Sequence, residues 1–229
     1  MHSITICAIS NKLFHFFLKD ILLEIRRQAA LAGLVLYLFA TTFICYLALG
    51  VQGRNLSPAT WSTLFWMMIL FSAINVGAKS FLGERKGREY YFFSLMPPEE
   101  IILSKILYNF LLILLLTFAG AGFFVLLIDN PIQNTQIFVA TLVLSSLGFA
   151  ASLSLLSAIA GKANNSGVLM AILSFPIIIS ILTLSIRVTK NCIDGLDAAV
   201  SVDSLAMIAA IDAIAVALSY ILFPFVWRS

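Results

Sequence analysis

An acidic residue inside an apolar run and a charged segment elsewhere in the chain are the two features that could carry chemistry. The acid is Asp212, in the run MIAAIDAIAVALSY. A carboxyl at membrane depth is costly, and such residues tend to face a cavity or a partner. Asp212 is therefore either a polar group lining an outward-facing path, or a residue about two helical turns from the outer helix end, near water or paired with Arg187. An intramembrane aspartyl enzyme is disfavoured, because no other apolar run supplies a second carboxylate.

The charged segment is residues 81–105, FLGERKGREYYFFSLMPPEEIILSK. Glycines punctuate its start, and an aromatic stretch at 90–93 precedes a Pro-Pro pair. Charged and aromatic side chains without an apolar span of their own predict a short helix on the inner membrane surface. The alternative is a topological signal with an interfacial anchor. Glu99 and Glu100 are expected to open the next helix, because acids are favourable at a helix N-terminus.

The sequence lacks the residues of several common catalytic and cofactor sites. It has no G-x-x-x-x-G-K-[ST] phosphate loop, because Gly161-Lys162 follows an apolar helix and lacks the earlier glycine. We therefore predict no ATP hydrolysis by the chain itself and identify no catalytic residue. Both histidines, His2 and His15, lie near the start of the chain, so no apolar run offers a histidine to haem or zinc. No metal site is predicted, since the cysteines are too scattered for a metal cluster or a disulfide framework: Cys7, Cys45 and Cys192.

The composition decides the class of protein that must position these groups. Of the 229 residues, 61% are hydrophobic and 11% are charged, and the mean hydropathy is +1.04. Soluble domains carry about 25% charged residues, so a globule this apolar would lack the polar surface to cover itself. Soluble enzymes, nucleic-acid-binding proteins and disordered chains are thereby excluded.

Apolar stretches of about 20 residues, long enough to cross the hydrocarbon layer as helices, recur along the chain. We predict an all-α integral membrane protein with six transmembrane helices in one domain, 29–229. No remaining stretch approaches the usual size of a soluble domain. The outer connection at 188–204 has no predictable secondary structure. The predicted spans are 29–51, 58–80, 106–128, 136–161, 166–187 and 205–226.

An amphipathic segment at 1–28 precedes these spans. Phe14, Phe17, Ile21 and Ile25 recur at helical spacing, opposite a face of basic side chains. This pattern is typical of a helix lying in the membrane interface, and a cytoplasmic helix packed on a partner is the alternative.

Small residues predict close packing in the fourth span. Ser146, Ala150, Ser154 and Ala158 repeat every four residues, and Gly148 and Ser152 broaden the resulting groove. Such spacing lets another helix approach closely, within the subunit or at a dimer seam. In the fifth span, Pro176 removes a backbone donor and predicts a kink.

The distribution of Lys and Arg predicts the orientation. Of the fourteen, three fall on one side of the predicted spans: Arg54, Arg187 and Lys190. The other eleven fall on the opposite side, mainly in the N-terminal segment and in 79–105. By the positive-inside rule, both termini of this multi-pass protein face the cytoplasm.

The segment at 81–105 and the helix start after it resemble the membrane subunits of type-2 ABC exporters. The shared order is E-x-x-G, an aromatic or aliphatic run, Pro, and then I-I-L-x-K-x-x-Y-N. A later block, 148–182, is similar to that group's other recognisable region. Over nearly its whole length the chain most resembles the haem exporter protein B family, the permease of the cytochrome c maturation system. The residues carrying the resemblance are Glu84, Gly87, Pro97, Lys105, Tyr108, Asn109, Gly148, Ser152, Gly161, Gly167 and Pro176.

The resemblance implies a type-2 permease fold and a half-transporter that works with a separate ABC ATPase subunit. Residues 81–100 would be the coupling element resting in a groove of that ATPase. The other implied partners are a haem-handling membrane protein and a haem chaperone. ATP hydrolysis by the ATPase would drive haem export or release of haem-loaded chaperone. The coupling residues so implied are Glu84, Arg85, Gly87, Arg88, Tyr90 and Pro97.

The resemblance also implies a bacterial inner-membrane location, contact with membrane lipid, and a homodimer or hetero-oligomer. We predict no resident cofactor, and haem is the implied transported or handled ligand. Two other functions stay open: a type-2 ABC permease for another substrate, and a membrane scaffold that assembles a complex without transport.

Overall fold

A computed structural model describes residues 28–49, 56–82, 97–128, 130–161 and 166–228. Within these ranges the secondary structure is helical, with no strand, which confirms the predicted all-α integral membrane class. Residues 1–27 of the interfacial segment predicted at 1–28 and the charged residues 83–96 lie outside the described residues. The six described helices are α1 (Gln28–Leu49), α2 (Pro58–Leu82), α3 (Pro98–Ile128), α4 (Thr135–Gly161), α5 (Ser166–Ile193) and α6 (Ala198–Arg228).

Length and composition make five of these helices, α2 to α6, able to cross a membrane. In α1 the apolar stretch is shorter, Ala32–Ala48. Most predicted span limits agree with the helices to within a few residues. The differences concern three helices. Helix α3 begins at Pro98 instead of residue 106, α5 ends at Ile193 instead of residue 187, and α6 begins at Ala198 instead of residue 205.

The early start of α3 has a local cause. Glu99 and Glu100 lie in its first turn, where their charge favours the helix N-terminus, as predicted. The Pro97 carbonyl accepts the Glu100 N–H at 3.1 Å, so the helical hydrogen bonding begins at the Pro-Pro pair itself. Polar residues at 99, 100, 104 and 105 lower the hydropathy of this stretch. A span predicted from apolar residues alone therefore begins too late.

The connection at 188–204 is a tight turn between two helices. It is helical up to Ile193 and again from Ala198. Gly195 adopts φ 68°, a left-handed conformation that favours glycine after a helix C-terminus. The α3–α4 connection covers this helix end, because Gln133 Nε2 donates to the Ile193 carbonyl at 3.1 Å. The Gln133 N–H also donates to the Cys192 carbonyl at 3.0 Å, so both connections form one end of the bundle, here called the Gln133 end.

Helix α4 lies at the centre of the bundle and packs against α2, α3, α5 and α6. In its most apolar stretch, 78% of the residues are buried, against 22% in α6. Serine, alanine and glycine make this burial possible, because they let the neighbouring backbones approach closely. The predicted small-residue face of Ser146, Ala150, Ser154 and Ala158 is buried within the subunit.

Aromatic side chains fill the core between α2, α3 and α4. Trp61 packs edge-on against Phe124 with ring centroids 5.2 Å apart. Phe65 contacts Phe124 and Phe138 at 5.7 and 5.9 Å. The pairs of Phe124 with Trp61 and Phe65 are edge-to-face, which is favourable beyond the area they bury, and the Phe65–Phe138 pair is tilted. This cluster fixes the three helices near the Gln133 end.

We expect Gly77→Ala in α2 to destabilise the fold. A Cβ at Gly77 would lie 2.6 Å from Leu153 Cβ of α4, so the two helices would have to separate. Overpacking of this kind costs about 1–3 kcal/mol. The matched control is Gly122→Ala in α3, where nothing lies within 4 Å of the new Cβ. Reversible unfolding in mixed micelles should show a lower free energy of unfolding for Gly77→Ala than for Gly122→Ala; equal values would contradict the packing.

Candidate functional site

Two side-chain hydrogen bonds hold α3 and α4 in a fixed antiparallel register. Asn109 Nδ2 donates to Ser154 Oγ at 2.7 Å, and Ser146 Oγ donates to Thr117 Oγ1 at 3.3 Å. The two pairs are eight residues apart on each helix, and all four side chains are buried. A shift of either helix along the other would break both bonds in an environment with no water to replace them.

The resemblance motif I-I-L-x-K-x-x-Y-N lies on the first turns of α3. Lys105 is only 8% exposed, one helical turn before the buried Asn109. Ile101, Ile102 and Ile106 join a small apolar cluster with residues of α4 and α6. The motif is therefore the place where the start of α3 is packed into the bundle.

Other buried polar contacts connect α5 to the same core. Ser145 and Ser185 hydroxyls are 2.6 Å apart between α4 and α5. Trp66 Nε1 donates to Thr189 Oγ1 at 2.8 Å between α2 and α5. Each bond joins residues far apart in sequence, so the spacing of residues along the sequence does not predict these pairs.

Asp212 lies in the middle of α6, about four helical turns from either end of the helix. Its side chain is 2% exposed. It packs against Gly148 of α4, where a Cβ would collide with the Asp212 Oδ1 atom and lie 2.9 Å from Ile181 Cδ1. Gly148 is thus required for the close approach of α4 and α6 at the level of this acid.

Neither Asp212 carboxyl oxygen has a hydrogen-bond partner among the described residues, Arg187 included. The pairing with Arg187 is therefore wrong, and so is the distance of about two turns from the helix end. The reason is the earlier start of α6 at Ala198, which moves Asp212 to mid-helix. Arg187 is exposed and lies six residues beyond Ile181, the α5 residue at the level of Asp212.

Asp212 contributes to the wall of a cavity of about 690 Å³ between α3, α4 and α6. The cavity is open to the outside of the bundle, because alanines of α6 that line it are exposed. Apart from Asp212 and Tyr220, the lining is aliphatic. We call it the Asp212 groove, and its lining residues are Leu103, Leu144, Leu147, Ala209, Asp212, Ala213, Val216, Ala217, Tyr220 and Ile221.

The predicted site residues divide into two sets. Glu84, Arg85, Gly87, Arg88 and Tyr90 lie outside the described residues. Pro97 is exposed immediately before α3.

The structure brings Gly148 and Asp212 together. Ser152 lies one turn from Gly148; it is buried, and its hydroxyl has no hydrogen-bond partner in the described ranges. Gly161 ends α4, and Pro176 lies exposed within a continuous α5; neither meets the Gly148–Asp212 contact.

The alanines of the groove are functional-site candidates that the sequence reasoning missed. Ala209, Ala213 and Ala217 recur every four residues in α6, on the side that Asp212 shares. The spacing was visible in MIAAIDAIAVALSY, but alanine in an apolar run is ordinary. Only the exposure of these alanines beside a buried acid distinguishes them.

The described residues contain no group of three or more His, Cys, Asp or Glu side chains placed to hold a metal ion. Cys45 and Cys192 are free thiols.

A bundle of long apolar helices around a buried, serine-rich central helix defines a multi-pass membrane protein. A family model described as CcmB protein matches residues 11–228, and the chain belongs to the CcmB family. This confirms the resemblance to haem exporter protein B of the cytochrome c maturation system. The chain is a membrane component of the haem export and cytochrome c maturation complex, in which it works with other subunits. No individual curated protein matches it.

A double-mutant cycle should detect the bond between Asn109 and Ser154. We expect the cycle of Asn109→Ala and Ser154→Ala to give a coupling energy of about 0.5–1.5 kcal/mol, typical of hydrogen bonds between membrane helices. The control cycle pairs Asn109→Ala with Ser180→Ala, because the Ser180 hydroxyl is exposed and bonds only its own helix at Pro176 O. Unfolding in mixed micelles measures both cycles. Additive effects in the first cycle would contradict the register bond.

Proposed function

We propose that this chain is the permease subunit that couples ATP hydrolysis by a separate ABC ATPase to haem export or to release of haem-loaded chaperone. The observation that carries the proposal is the CcmB family match over 11–228 together with the position of the charged segment. Residues 83–96 connect α2 directly to α3. Any force on that segment therefore acts on the starting end of α3.

The packing of α3 supports this route of coupling. Helix α3 contacts α1, α2, α4 and α6, so its position affects most of the bundle. An α-helix transmits displacement along its axis because its backbone hydrogen bonds resist stretching. The register bonds described above make α3 and α4 a single unit, which would carry a displacement from the Pro97 end to the level of Asp212.

The proposed coupling residues have distinct roles. Glu84, Arg85 and Arg88 would form the charged rim that orients the segment in the ATPase groove. Tyr90 would be an aromatic anchor buried at the centre of that contact, where aromatic residues contribute most of the binding energy. Gly87 would allow a close backbone approach. Pro97 would end the contact segment and set the start of α3.

The remaining assignments follow from this role. The charge distribution along the sequence favours an inner-membrane protein with both termini in the cytoplasm, where ATP is available. Its further partners would be a haem-handling membrane protein and a haem chaperone, in a homodimer or hetero-oligomer surrounded by lipid. Haem would be cargo of the complex. The chain would take no part in hydrolysis, because its sequence has no phosphate loop.

Co-purification of the co-expressed complex tests the coupling segment. We expect Tyr90→Ala and Gly87→Leu each to lower recovery of the ATPase subunit with the tagged chain by about tenfold, which corresponds to about 1.4 kcal/mol. The control is Arg54→Ala, predicted to lie on the opposite side of the membrane, which should leave recovery unchanged. Equal recovery for all variants would contradict the assignment of this segment.

Cytochrome c assembly in the same cells separates a coupled permease from a scaffold. With an ATPase subunit that binds but does not hydrolyse ATP, assembly should fail although the complex still forms. Normal assembly under these conditions would show that the chain acts as a scaffold and would overturn the proposed coupling.

A further inference from the structure

Polar side chains form a column between α4, α5 and α6 that extends from the Gln133 end of the bundle to its middle. The outermost is partly exposed and the others are buried. Polar and ionisable residues inside membrane bundles are costly, and they commonly mark routes for ions, protons or water. We call this set the polar column, and its members are Asn191, Ser201, Ser204, Ser145, Ser185 and Asp212.

The column begins at the surface of the Gln133 end. Asn191 is partly exposed in the last turn of α5, and its Nδ2 donates to Ser201 Oγ of α6 at 3.3 Å. Ser201 and Ser204 are 2% and 6% exposed. They lie on the buried side of α6, eleven and eight residues before Asp212, which are spacings that keep residues on one side of a helix. These serines therefore carry hydroxyls from the surface into the bundle.

At the next level the hydroxyls come from α4 and α5. On α6 this level is occupied by Ile208, which is fully buried one turn before Asp212. Because Asp212 contacts Gly148, and α4 and α6 both begin at the Gln133 end, Ile208 lies at the level of Ser145. The Ser145 hydroxyl is 2.6 Å from that of Ser185. The column therefore reaches the acid in steps of about one helical turn.

The acid needs a donor that the serines do not need. A serine hydroxyl can donate to its own helix, as Ser185 does to the Ile181 carbonyl at 2.7 Å. The carboxylate oxygens of an aspartate are acceptors, and the backbone N–H groups in the middle of a helix already have partners. Neither Asp212 oxygen has a donor among the described residues, and Gly148 offers no side chain on α4.

Water is the donor that fits this position. Lysines and arginines outside the described ranges fall before or between the predicted spans, so the sequence places no cation at the level of Asp212. The Asp212 groove gives no access either, because both carboxyl oxygens are buried against α4 and α5. Buried waters usually bridge polar groups that lack other partners.

We propose that the polar column is a water path that connects Asp212 with the solution at the Gln133 end. The inner serines are fully buried, so water passes through transient separation of the three helices and not through an open pore. The hydroxyls would hydrogen-bond the passing water, which would donate to the carboxyl group. The proposal does not depend on coupling through residues 83–96, because the column is built from α4, α5 and α6.

Thiol modification in membranes that contain the complete complex tests the path. A small, charged, membrane-impermeant methanethiosulfonate is added on the Gln133 side. The chain carries Ser185→Cys after its three cysteines, Cys7, Cys45 and Cys192, are replaced by alanine. The matched control is Thr183→Cys, because Thr183 is exposed on the outside of the same helix and its hydroxyl bonds that helix at the Ile179 carbonyl.

We expect Ser185→Cys to react at least about tenfold faster than Thr183→Cys, because the reacting thiolate forms in contact with water and not with lipid. Exposure in the structure alone would give the opposite order. Ser219→Cys, buried seven residues beyond Asp212, should stay unmodified from the Gln133 side. If Ser185→Cys does not assemble, Ser204→Cys serves instead.

Substitution of the acid tests its connection with the column. Asp212→Leu should lower the rate at Ser185→Cys several-fold, because an apolar side chain does not retain water. Asp212→Asn stays polar at the same size and should keep the rate. A rate at Ser185→Cys no higher than at Thr183→Cys would overturn the path. So would modification of Ser219→Cys from the Gln133 side, or a rate that Asp212→Leu leaves unchanged.

Recovery of the ATPase subunit, measured in the same membranes, separates this proposal from the proposed function. An unreactive Ser185→Cys with normal ATPase recovery concerns the path alone and overturns it. Loss of ATPase recovery in Gly87→Leu with normal thiol modification concerns the coupling segment alone and leaves the path supported.

Discussion

The whole structure depends on close approach between helix backbones around α4. Protein surrounds most of this helix. It therefore has no broad lipid-facing side that could hold its apolar side chains apart from its polar ones. In a membrane, burial of apolar surface does not distinguish protein from lipid, and association relies on packing and hydrogen bonds. The serines, alanines and glycines of α4 meet both needs, because they allow short interhelical distances and supply hydroxyls to α3 and α5.

This arrangement connects the two ends of the proposed mechanism. At one end, α3 follows the charged segment and is held to α4 in register by the Asn109 and Thr117 bonds. At the other, Gly148 of α4 contacts Asp212 in the middle of α6. The same helix therefore lies between the segment proposed to meet the ATPase and the Asp212 groove. Paired hydrogen bonds oppose a displacement of α3 along α4, so the proposed coupling treats the two helices as one unit.

Much of the fold could be predicted from the sequence, because membrane spans depend on length and composition. The all-α class and the buried small-residue face of α4 follow from hydropathy and from four-residue spacing. The start of α3 and the turn at Gly195 were less accessible, since capping by Pro97 and Gln133 depends on local and tertiary contacts. The environment of Asp212 could not be derived. Its depth depends on where α6 begins, and its contact with Gly148 joins positions 64 residues apart in sequence.

Footprinting from within the bilayer tests the central position of α4 most directly. A lipophilic diazirine, activated by light in membranes that contain the full chain, modifies side chains in contact with lipid without any substitution. We expect residues 141–158 to be the least modified of the membrane-spanning stretches, and 172–186 and 206–225 to be modified with helical periodicity. Modification of 141–158 at the level of 172–186 would show that α4 faces lipid and would contradict the account.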